Sequence, residues 1–236
     1  ILSRFVDVVA VGYKDAEASF SKAKRVVYTG NPVRPDVLVD TRADGRNYFN
    51  LSDDTFTVLI AGGSRGARTI NNAMIDVHKH FQGTKGIKLI HITGDGEYKS
   101  VLSQLGITDG NGLGDSSVIL PYLHDMPKAL AAADLAVFRS GAIGLAELAV
   151  RGIPSVLVPY PYAAEDHQTY NARIFVQEGA AHMIVDQMLS AHDLIGEIEM
   201  FMANRDLLSQ MGERALQLGK PNAAHDIAKL ALSIAK

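Results

Sequence analysis

The sequence predicts an α/β fold built on a doubly wound parallel sheet of about six strands. From Thr55 onward, short runs of apolar and β-branched residues alternate with longer runs in which apolar residues recur at helical spacing. Glycine-rich or polar turns separate each strand-like run from the helix that follows it. Because adjacent parallel strands need a crossover connection, this alternation indicates right-handed βαβ units and a Rossmann-like architecture.

Each predicted strand is a short apolar run bounded by glycine, proline or polar residues. The strands of the main body are predicted at residues 55–61, 88–93, 118–121, 135–138, 153–158 and 182–185. Two further strands are predicted before them, at 5–11 and 25–28.

Helices are predicted where apolar residues recur every three or four positions. In order they cover 14–21, 68–81, a segment after Gly94-Asp95-Gly96 that ends at 105, 126–133, 142–152, a segment after the loop 159–162, 191–203, 205–218 and 222–236. Residues 37–50 are polar and are predicted to be irregular.

The segment 29–35 places two prolines, Pro32 and Pro35, on either side of a turn. Such a segment makes a stiff connector, so a domain boundary is predicted here. Residues 1–34 are interpreted as the remnant of a preceding domain and connector, and residues 35–236 as the main domain. Because the chain opens with Ile directly in a strand-like run, we expect it to be a piece of a longer protein.

The amino-acid composition of the chain argues against several kinds of partner and site. The 236 residues carry a net charge of -3 without a basic block, which argues against nucleic acid as the main partner. The chain contains no cysteine, which excludes disulfides and thiolate metal sites and fits the cytosol. His167 has no second histidine at ligand spacing, so no metal site is predicted.

The first candidate site is the turn Gly62-Gly63-Ser64-Arg65-Gly66-Ala67, between a strand and a helix. Glycines let the backbone approach a phosphate, and the helix start supplies N–H donors and partial positive charge. Ser64 can add a hydroxyl donor and Arg65 a positive charge. The turn has neither the GxGxxG spacing of a dinucleotide site nor the ending of a P-loop. A tight turn without a ligand is an equally good interpretation.

The second candidate site is the helix after Arg139-Ser140-Gly141. Ser140 is predicted to cap this helix, and Ile143 or Gly144 and Glu147 share its face at helical spacing. A carboxylate beside a helix start suits the two hydroxyls of a ribose. The alternative is a surface pair between Glu147 and Arg151, which explains neither Gly144 nor the Arg-Ser-Gly turn.

The third candidate site groups Asp166, His167, Gln168 and Asn171 near one helix start, after Pro159-Tyr160-Pro161-Tyr162. Several hydrogen-bonding side chains there can grip sugar hydroxyls. The alternative is an Asp N-cap with polar neighbours on a solvated helix.

The fourth candidate site is the loop Pro121-Tyr122-Leu123-His124-Asp125-Met126-Pro127 between a strand and a helix. Backbone groups near Leu123 can pair with the edge of a base. The alternative is a plain connecting loop that leads into a helix begun by proline.

Taken in order, these motifs resemble the MurG family, the bacterial N-acetylglucosaminyltransferases that make lipid II. The resemblance covers nearly the whole chain and is carried by Thr29-Gly30-Asn31-Pro32-Val33-Arg34, the turn 62–67, His124-Asp125-Met126, Arg139-Ser140-Gly141-Ala142, Glu147, and Asp166-His167-Gln168 with Asn171. MurG enzymes have two Rossmann-like lobes in the GT-B arrangement. The resemblance implies that this chain is the C-terminal, donor-binding lobe, preceded by the last strand and helix of the N-terminal lobe.

The resemblance also implies roles for individual residues. It assigns Gly63, Ser64 and Arg65 to the diphosphate, Leu123 and Met126 to the uracil, Glu147 to the ribose, Arg139, Ile143 and Gly144 to the nucleotide pocket, and His167 and Gln168 to the N-acetylglucosamine. Two positions depart from the family, since many relatives have Gln in place of Arg65 and often Thr in place of Gly144. The grip on the diphosphate is therefore expected to differ in detail.

The implied activity is inverting transfer of N-acetylglucosamine from UDP-N-acetylglucosamine to lipid I, without a cofactor. The lipid I site, the general base and the membrane-facing patch would lie in the missing lobe. This chain is therefore expected to bind the donor but not to catalyse efficiently alone. The full-length protein is expected in the cytoplasm, peripheral on the inner face of the cell membrane.

Other functions stay open on the sequence. The chain could be a stand-alone UDP-sugar-binding subunit that needs a partner chain. It could also belong to a GT-B enzyme with another UDP-sugar or acceptor, or to a UDP-sugar epimerase. An NAD-dependent dehydrogenase is disfavoured because the dinucleotide fingerprint is missing.

Overall fold

The computed structural model describes residues 3, 5–63 and 67–235. Its strands are β1 (Val9–Val11), β2 (Val26–Tyr28), β3 (Phe56–Ala61), β4 (Ile87–Ile92), β5 (Ser117–Leu120), β6 (Leu135–Phe138), β7 (Ser155–Leu157) and β8 (Ala181–Met183). The α-helices are α1 (Pro35–Val39), α2 (Arg42–Tyr48), α3 (Arg68–Phe81), α4 (Asp95–Leu105), α5 (Met126–Ala132), α6 (Ala142–Arg151), α7 (His167–Gln177), α8 (Ala191–Ala203), α9 (Arg205–Leu218) and α10 (Ala223–Ile234). Short 3₁₀ segments cover Lys14–Phe20, Ala164–Asp166 and Asp186–Met188.

Strands β3 to β8 form one parallel, six-stranded sheet in the order β5-β4-β3-β6-β7-β8. The chain runs outward from β3 in one direction and then returns to run outward from β6 in the other. The order therefore reverses between β3 and β6, and the carboxyl ends of these two strands form a crevice in which α/β proteins bind ligands. This topology confirms the predicted doubly wound sheet.

The two central strands are buried on both faces. All residues of β3 and β6 are buried, which explains their continuous apolar runs. Successive side chains of β3 pack into two different hydrophobic cores, one on each face of the sheet. Leu59 packs with residues of α5, α6 and α7, whereas Val58 and Ile60 pack with residues of α3, α8 and α9. Helices on both faces thus hold the sheet rigid, and its carboxyl edge is left to the loops.

The first strands form a separate sheet. β1 pairs with β2 in parallel, with Val9 opposite Val26. The strand predicted at 5–11 is shorter in the structure, because only its end finds a pairing partner and Phe5 is 78% exposed. The helix predicted at 14–21 is the 3₁₀ segment Lys14–Phe20.

Residues 37–50 are not irregular as predicted. Residues 37–39 lie in α1 and residues 42–48 lie in α2, with a short turn between the two helices. A capping box begins α2, since the Thr41 hydroxyl accepts from the Asp44 N–H at 3.1 Å and the Asp44 carboxylate accepts from the Thr41 N–H at 2.8 Å. Gly45 brings α2 against the backbone of α5, where a Cβ would overlap the carbonyl oxygen of Lys128. Capping and close packing therefore make a polar segment helical.

The remaining elements follow the predicted order. The bounds of α3, α8, α9 and β6 coincide with the prediction, and other ends move by a few residues. Within the described residues, no helix is long and apolar enough to cross a membrane.

Candidate functional site

A cavity of about 460 Å³ lies at the carboxyl ends of β3 to β6, at the point where the strand order reverses. Its lining comes from six segments that are separated in sequence. Its lining includes Arg34, Gly62, Gly63, Gly94, Pro121, Tyr122, Leu123, Met126, Phe138, Arg139, Gly141, Ile143, Gly144, Glu147 and Gln168. Most of the predicted site residues are thus brought together around one space.

The turn after β3 forms one side of this cavity. Gly63 has φ +87, a left-handed conformation that favours glycine, and a Cβ at Gly62 would overlap Ala67. Ala67, at the N-cap of α3, has no side-chain oxygen, so it does not cap the N–H groups of the first turn of α3. Ser64 and Arg65, predicted to meet a diphosphate, lie outside the described residues.

Glu147 lies on α6 with only 6% of its surface exposed. Arg34, from the connector, donates from Nε to Glu147 Oε1 at 3.0 Å, and its Nη2 lies 3.0 Å from the same oxygen. Within the described part of the chain, Oε2 accepts no hydrogen bond. Arg151, the alternative partner, instead donates to the carbonyl oxygens of Val37 and Asp40. The carboxylate therefore faces the cavity with one oxygen available.

The rest of the α6 face is open, as predicted. Ile143 is 54% exposed, and Gly144 lines the cavity beside Phe138. A Cβ at Gly144 would lie 3.6 Å from the Phe138 ring, which is ordinary contact, so the space there does not require glycine. Leu145 and Leu148 are fully buried on the opposite face of the helix. The glycine therefore enlarges the cavity.

Ser140 does not cap α6, which corrects the prediction. The N-cap residue is Gly141, and the Ser140 hydroxyl donates to the carbonyl oxygen of Gln168 at 2.8 Å. Asn171, which is buried, donates from Nδ2 to the Ser140 carbonyl oxygen at 3.1 Å. These bonds tie the start of α7 to the turn that precedes α6.

The loop after β5 forms an apolar wall of the cavity. Tyr122, Leu123 and Met126 line it, and Leu123 is buried. Pro127 occupies the first turn of α5, which agrees with the predicted helix start. This wall suits the flat face of a base, with loop backbone groups at its edge.

Arg139 lines the cavity, but its guanidinium points into the protein. Nη1 donates to the carbonyl oxygens of Val158 and Pro159 at 3.0 and 3.1 Å and also to the Asp186 carboxylate. Arg139 and Asp186 are both 9% exposed. The structure therefore places Arg139 in the wall of the cavity with its charge already partnered.

Gln168 and His167 differ in placement. Gln168 lines the cavity, and its Oε1 accepts from the N–H of Tyr160 at 3.0 Å. His167 is not among the lining residues, and its Nδ1 lies 2.7 Å from the carbonyl oxygen of Ala164. A carbonyl oxygen only accepts, so Nδ1 carries the proton and Nε2 is the accepting nitrogen of the neutral ring.

Asp166 stands at the N-cap position of α7 without a capping bond, contrary to the alternative interpretation of this segment. Its φ is +53, as is that of Glu165, and its carboxylate accepts from the Thr169 hydroxyl at 2.6 Å. Two consecutive left-handed residues other than glycine indicate a strained turn at the start of α7.

Sequence reasoning missed two residues, Arg34 and Asp186. Arg34 was grouped with the connector, and its partner Glu147 is 113 positions away. Asp186 follows β8 and is 47 positions from Arg139. The proline-flanked position of Arg34 signals a fixed backbone, but nothing in the sequence around Asp186 indicates its partner.

Comparisons with known proteins agree with this geometry. The family model "Glycosyltransferase family 28 C-terminal domain" matches residues 57–230. The UDP-N-acetylglucosamine--N-acetylmuramyl-(pentapeptide) pyrophosphoryl-undecaprenol N-acetylglucosamine transferase of Desulforamulus reducens is 40% identical over 97% of this chain and 62% of its own length. The protein of the same name from Desulfitobacterium hafniense is 41% identical over 100% of this chain and 64% of its own. The chain therefore spans less than two thirds of these relatives.

Solved structures show the same fold. The crystal structure of Acinetobacter baumannii MurG superposes with a TM-score of 0.74 at 28% identity, over 99% of this chain and 63% of that one. The S. aureus MnaA-UDP co-structure gives a TM-score of 0.70 at 15% identity, over 98% of this chain and 62% of that one, a likeness of fold alone. The parallel sheet is thus confirmed as the lobe of a GT-B glycosyltransferase. Since the family model covers most of its length, the chain belongs to the glycosyltransferase family 28 C-terminal domain family, with MurG proteins among its relatives.

Proposed function

We propose that the protein containing this chain transfers N-acetylglucosamine from UDP-N-acetylglucosamine to lipid I and so makes lipid II. In this proposal the chain supplies the lobe that binds the donor. One observation carries it: a single cavity is lined by the two glycines that precede α3, Gly62 and Gly63, by an apolar wall at Leu123, and by the buried Glu147. The names of relatives at 40–41% identity support the choice of donor and acceptor.

Each part of the donor has a partner of matching chemistry. The uracil would lie against Leu123 and Met126, where burial of an aromatic face is favourable. The ribose hydroxyls would donate to Glu147, whose Oε2 is available. The diphosphate would meet the N–H groups at the start of α3, where the helix dipole favours negative charge. The sugar would then extend toward Gln168.

The chemistry follows from where charge develops. The C4 hydroxyl of the N-acetylmuramyl unit attacks the anomeric carbon, the bond from that carbon to the β-phosphate oxygen breaks, and UDP leaves with inverted configuration at the sugar. The first turn of α3 stabilises the charge that builds on the departing diphosphate, so in this proposal the step needs no metal. The hydroxyl proton passes to a general base outside this chain, and the chain alone is expected to bind without efficient turnover.

The proposed acceptor also indicates where in the cell the full-length protein works. Lipid I is held in a membrane by its lipid chain, so the transferase must work at that surface. We place this contact and the acceptor site in the amino-terminal lobe of the full-length protein, on the cytoplasmic side, where the nucleotide donor is found. Sedimentation of the full-length protein with lipid vesicles tests this; recovery only in the supernatant would contradict it.

Isothermal titration of the chain with UDP and UDP-N-acetylglucosamine tests the donor half. We expect saturable binding of both, and a loss of about tenfold or more for Glu147→Gln, since a charged acceptor of two hydroxyls becomes a neutral amide. Glu199→Gln, an exposed acid away from the cavity, is the control and should bind like the wild type. No heat with either ligand would overturn the proposal.

Competition among donors decides between related functions. UDP-glucose and UDP-N-acetylgalactosamine should displace UDP-N-acetylglucosamine only at higher concentration. Equal or stronger displacement by another UDP-sugar would favour a GT-B enzyme with a different donor.

A further inference from the structure

A chain of buried and part-buried hydrogen bonds runs behind the cavity, from the first turn of α3 to the loop after β7. The Thr69 hydroxyl donates to Asp186 Oδ2 at 3.0 Å, and Arg139 Nη1 donates to Asp186 Oδ1. The same Nη1 donates to the carbonyl oxygens of Val158 and Pro159. One carboxylate thus connects α3, which follows the glycine turn, with the end of β7.

The chain of contacts continues to the cavity itself. The N–H of Tyr160, next to Pro159, donates to Gln168 Oε1 at 3.0 Å, and the Ser140 hydroxyl holds the Gln168 carbonyl oxygen at 2.8 Å. A backbone N–H can only donate, so the amide oxygen of Gln168 must face it. The amide nitrogen of Gln168, with its two N–H groups, is then the end left to donate to a bound ligand.

We propose that Asp186 is a positioning residue for the sugar end of the donor. It holds Arg139, Arg139 holds the carbonyl oxygens of Val158 and Pro159, and the loop beginning there fixes the amide of Gln168. Asp186 does not line the cavity, so it acts through Arg139 and not by contact. This inference rests on the proposed function, and it moves Arg139 from a nucleotide contact to part of the support.

Stability alone does not account for this pair. Taking two opposite charges out of water costs free energy that their attraction only partly returns, and well-packed apolar pairs stabilise a core as well or better. The ion pair instead fixes the relative position of two elements, because one carboxylate oxygen of Asp186 accepts from Thr69 in α3 and the other accepts from Arg139 after β6. The expected consequence of its loss is a looser Gln168 amide and poorer recognition of the sugar.

The test compares UDP with UDP-N-acetylglucosamine by isothermal titration of the 236-residue chain. For Asp186→Asn we expect the affinity for UDP-N-acetylglucosamine to fall about tenfold, as for one lost hydrogen bond to the sugar, while that for UDP changes less than about threefold. Asp134→Asn is the matched control. The side chain of Asp134 is also only 9% exposed, accepts from the Thr57 N–H and from Arg42, and lies at the opposite end of the sheet. Its ratio of the two affinities should equal that of the wild type.

A double variant, Arg139→Met with Asp186→Leu, separates positioning from folding. It removes both charges, so its melting temperature should exceed that of Asp186→Asn, while discrimination between the two ligands stays lost. If the double variant still distinguished UDP-N-acetylglucosamine from UDP as the wild type does, the inference would be overturned. It would also be overturned if Asp186→Asn and the double variant each lost the same affinity for both ligands. An unchanged ratio in Asp186→Asn would do so too. Wild-type chain that binds neither ligand would instead overturn the proposed function, and this inference with it.

Discussion

Arg34 donates to Glu147 across 113 positions of sequence, with Nε and Nη2 both 3.0 Å from the same carboxylate oxygen. Arg34 belongs to the connector before α1, and Glu147 to the middle of α6. The contact fixes the carboxylate in a buried position and leaves its second oxygen toward the cavity. A ligand that uses Glu147 therefore meets an acceptor that is already oriented and already partnered by a positive charge.

Replacing Arg34 with Ala should weaken nucleotide binding. The substitution leaves a buried carboxylate without its partner, so we expect affinity for UDP to fall by about tenfold or more. Because the Arg34 side chain is 48% exposed, the loss of folding stability should be about 1 kcal/mol. Titration calorimetry and urea denaturation measure the two effects. Arg25→Ala, an exposed control outside the cavity, should change neither, and an Arg34→Ala protein with wild-type affinity would contradict the assigned role.

Two glycines of the cavity should respond in opposite ways to alanine. A Cβ at Gly62 would overlap Ala67, so Gly62→Ala should destabilise the fold by about 1–3 kcal/mol. A Cβ at Gly144 has ordinary contact with Phe138, so Gly144→Ala should stabilise α6 by about 0.5–1 kcal/mol. Urea denaturation compares both with the wild type. Equal effects from the two substitutions would show that the turn after β3 is not as tight as described.

A buried histidine pair predicts acid sensitivity. Asn71 Nδ2 donates to the Thr93 carbonyl oxygen, so its Oδ1 accepts from His91 Nε2 at 3.0 Å. His91 Nδ1 then accepts from His78 Nε2 at 3.1 Å, and His78 Nδ1 accepts from the Ser117 hydroxyl at 2.9 Å. This order fixes both neutral tautomers, and a proton added at Nδ1 of His91 would face the N–H of His78 Nε2, donor against donor.

The stability of the fold should therefore fall in acid. Burial lowers the pKa of His78 to about 4 and holds the pKa of His91 well below its usual value. The unfolded chain takes up protons below about 6.5, so stability is complete above that pH and is lost as pH falls toward 4. His78 alone should cost about 2 kcal/mol at pH 5 relative to pH 7.5.

Urea denaturation at pH 7.5 and pH 5 measures this loss. The double variant His78→Leu with His91→Leu should be less stable than the wild type at pH 7.5, but its stability should change less between the two pH values. His80→Gln, an exposed control, should lose as much stability between pH 7.5 and pH 5 as the wild type does. A wild-type chain equally stable at both values would show that the pair is not neutral in the fold.

The capping box of α2 gives a further expectation. Thr41→Ala removes the acceptor of the Asp44 N–H and should cost about 1 kcal/mol, as for other helix caps. Thr84→Ala, at an exposed position outside any helix or strand, should cost little. Denaturation midpoints compare the two, and equal costs would mean that the cap does not determine this helix.

Much of the fold was predictable because long helices carry their own signals. α8 and α9 begin at side-chain caps, Ser190 accepting from the Asp193 N–H and Asn204 from the Leu207 N–H, and both have clear helical periodicity. The short helices α1 and α2 were missed because their stability comes from packing against α5 and from a cap that is easily overlooked in a polar segment.

The site was predictable where one element supplies several residues. Glu147, Ile143 and Gly144 share one face of α6, so helical spacing alone groups them. Ser140 was misassigned because a distant carbonyl oxygen, that of Gln168, takes its hydroxyl in place of the helix start. Arg34 and Asp186 have partners that only the folded chain brings close, and local pattern carries no information on such pairs.

The pairing of β3 with β6 affects how this lobe folds during its synthesis on the ribosome. Val58 pairs with Leu135 in the ladder, so the middle of the sheet closes only after α3, α4, α5 and two outer strands have been synthesised. Pairing over such a separation carries a large loop-closure cost and slows assembly. A nascent chain halted before β6 would leave one edge of β3 unpaired and apolar, and would depend on chaperones until translation resumed.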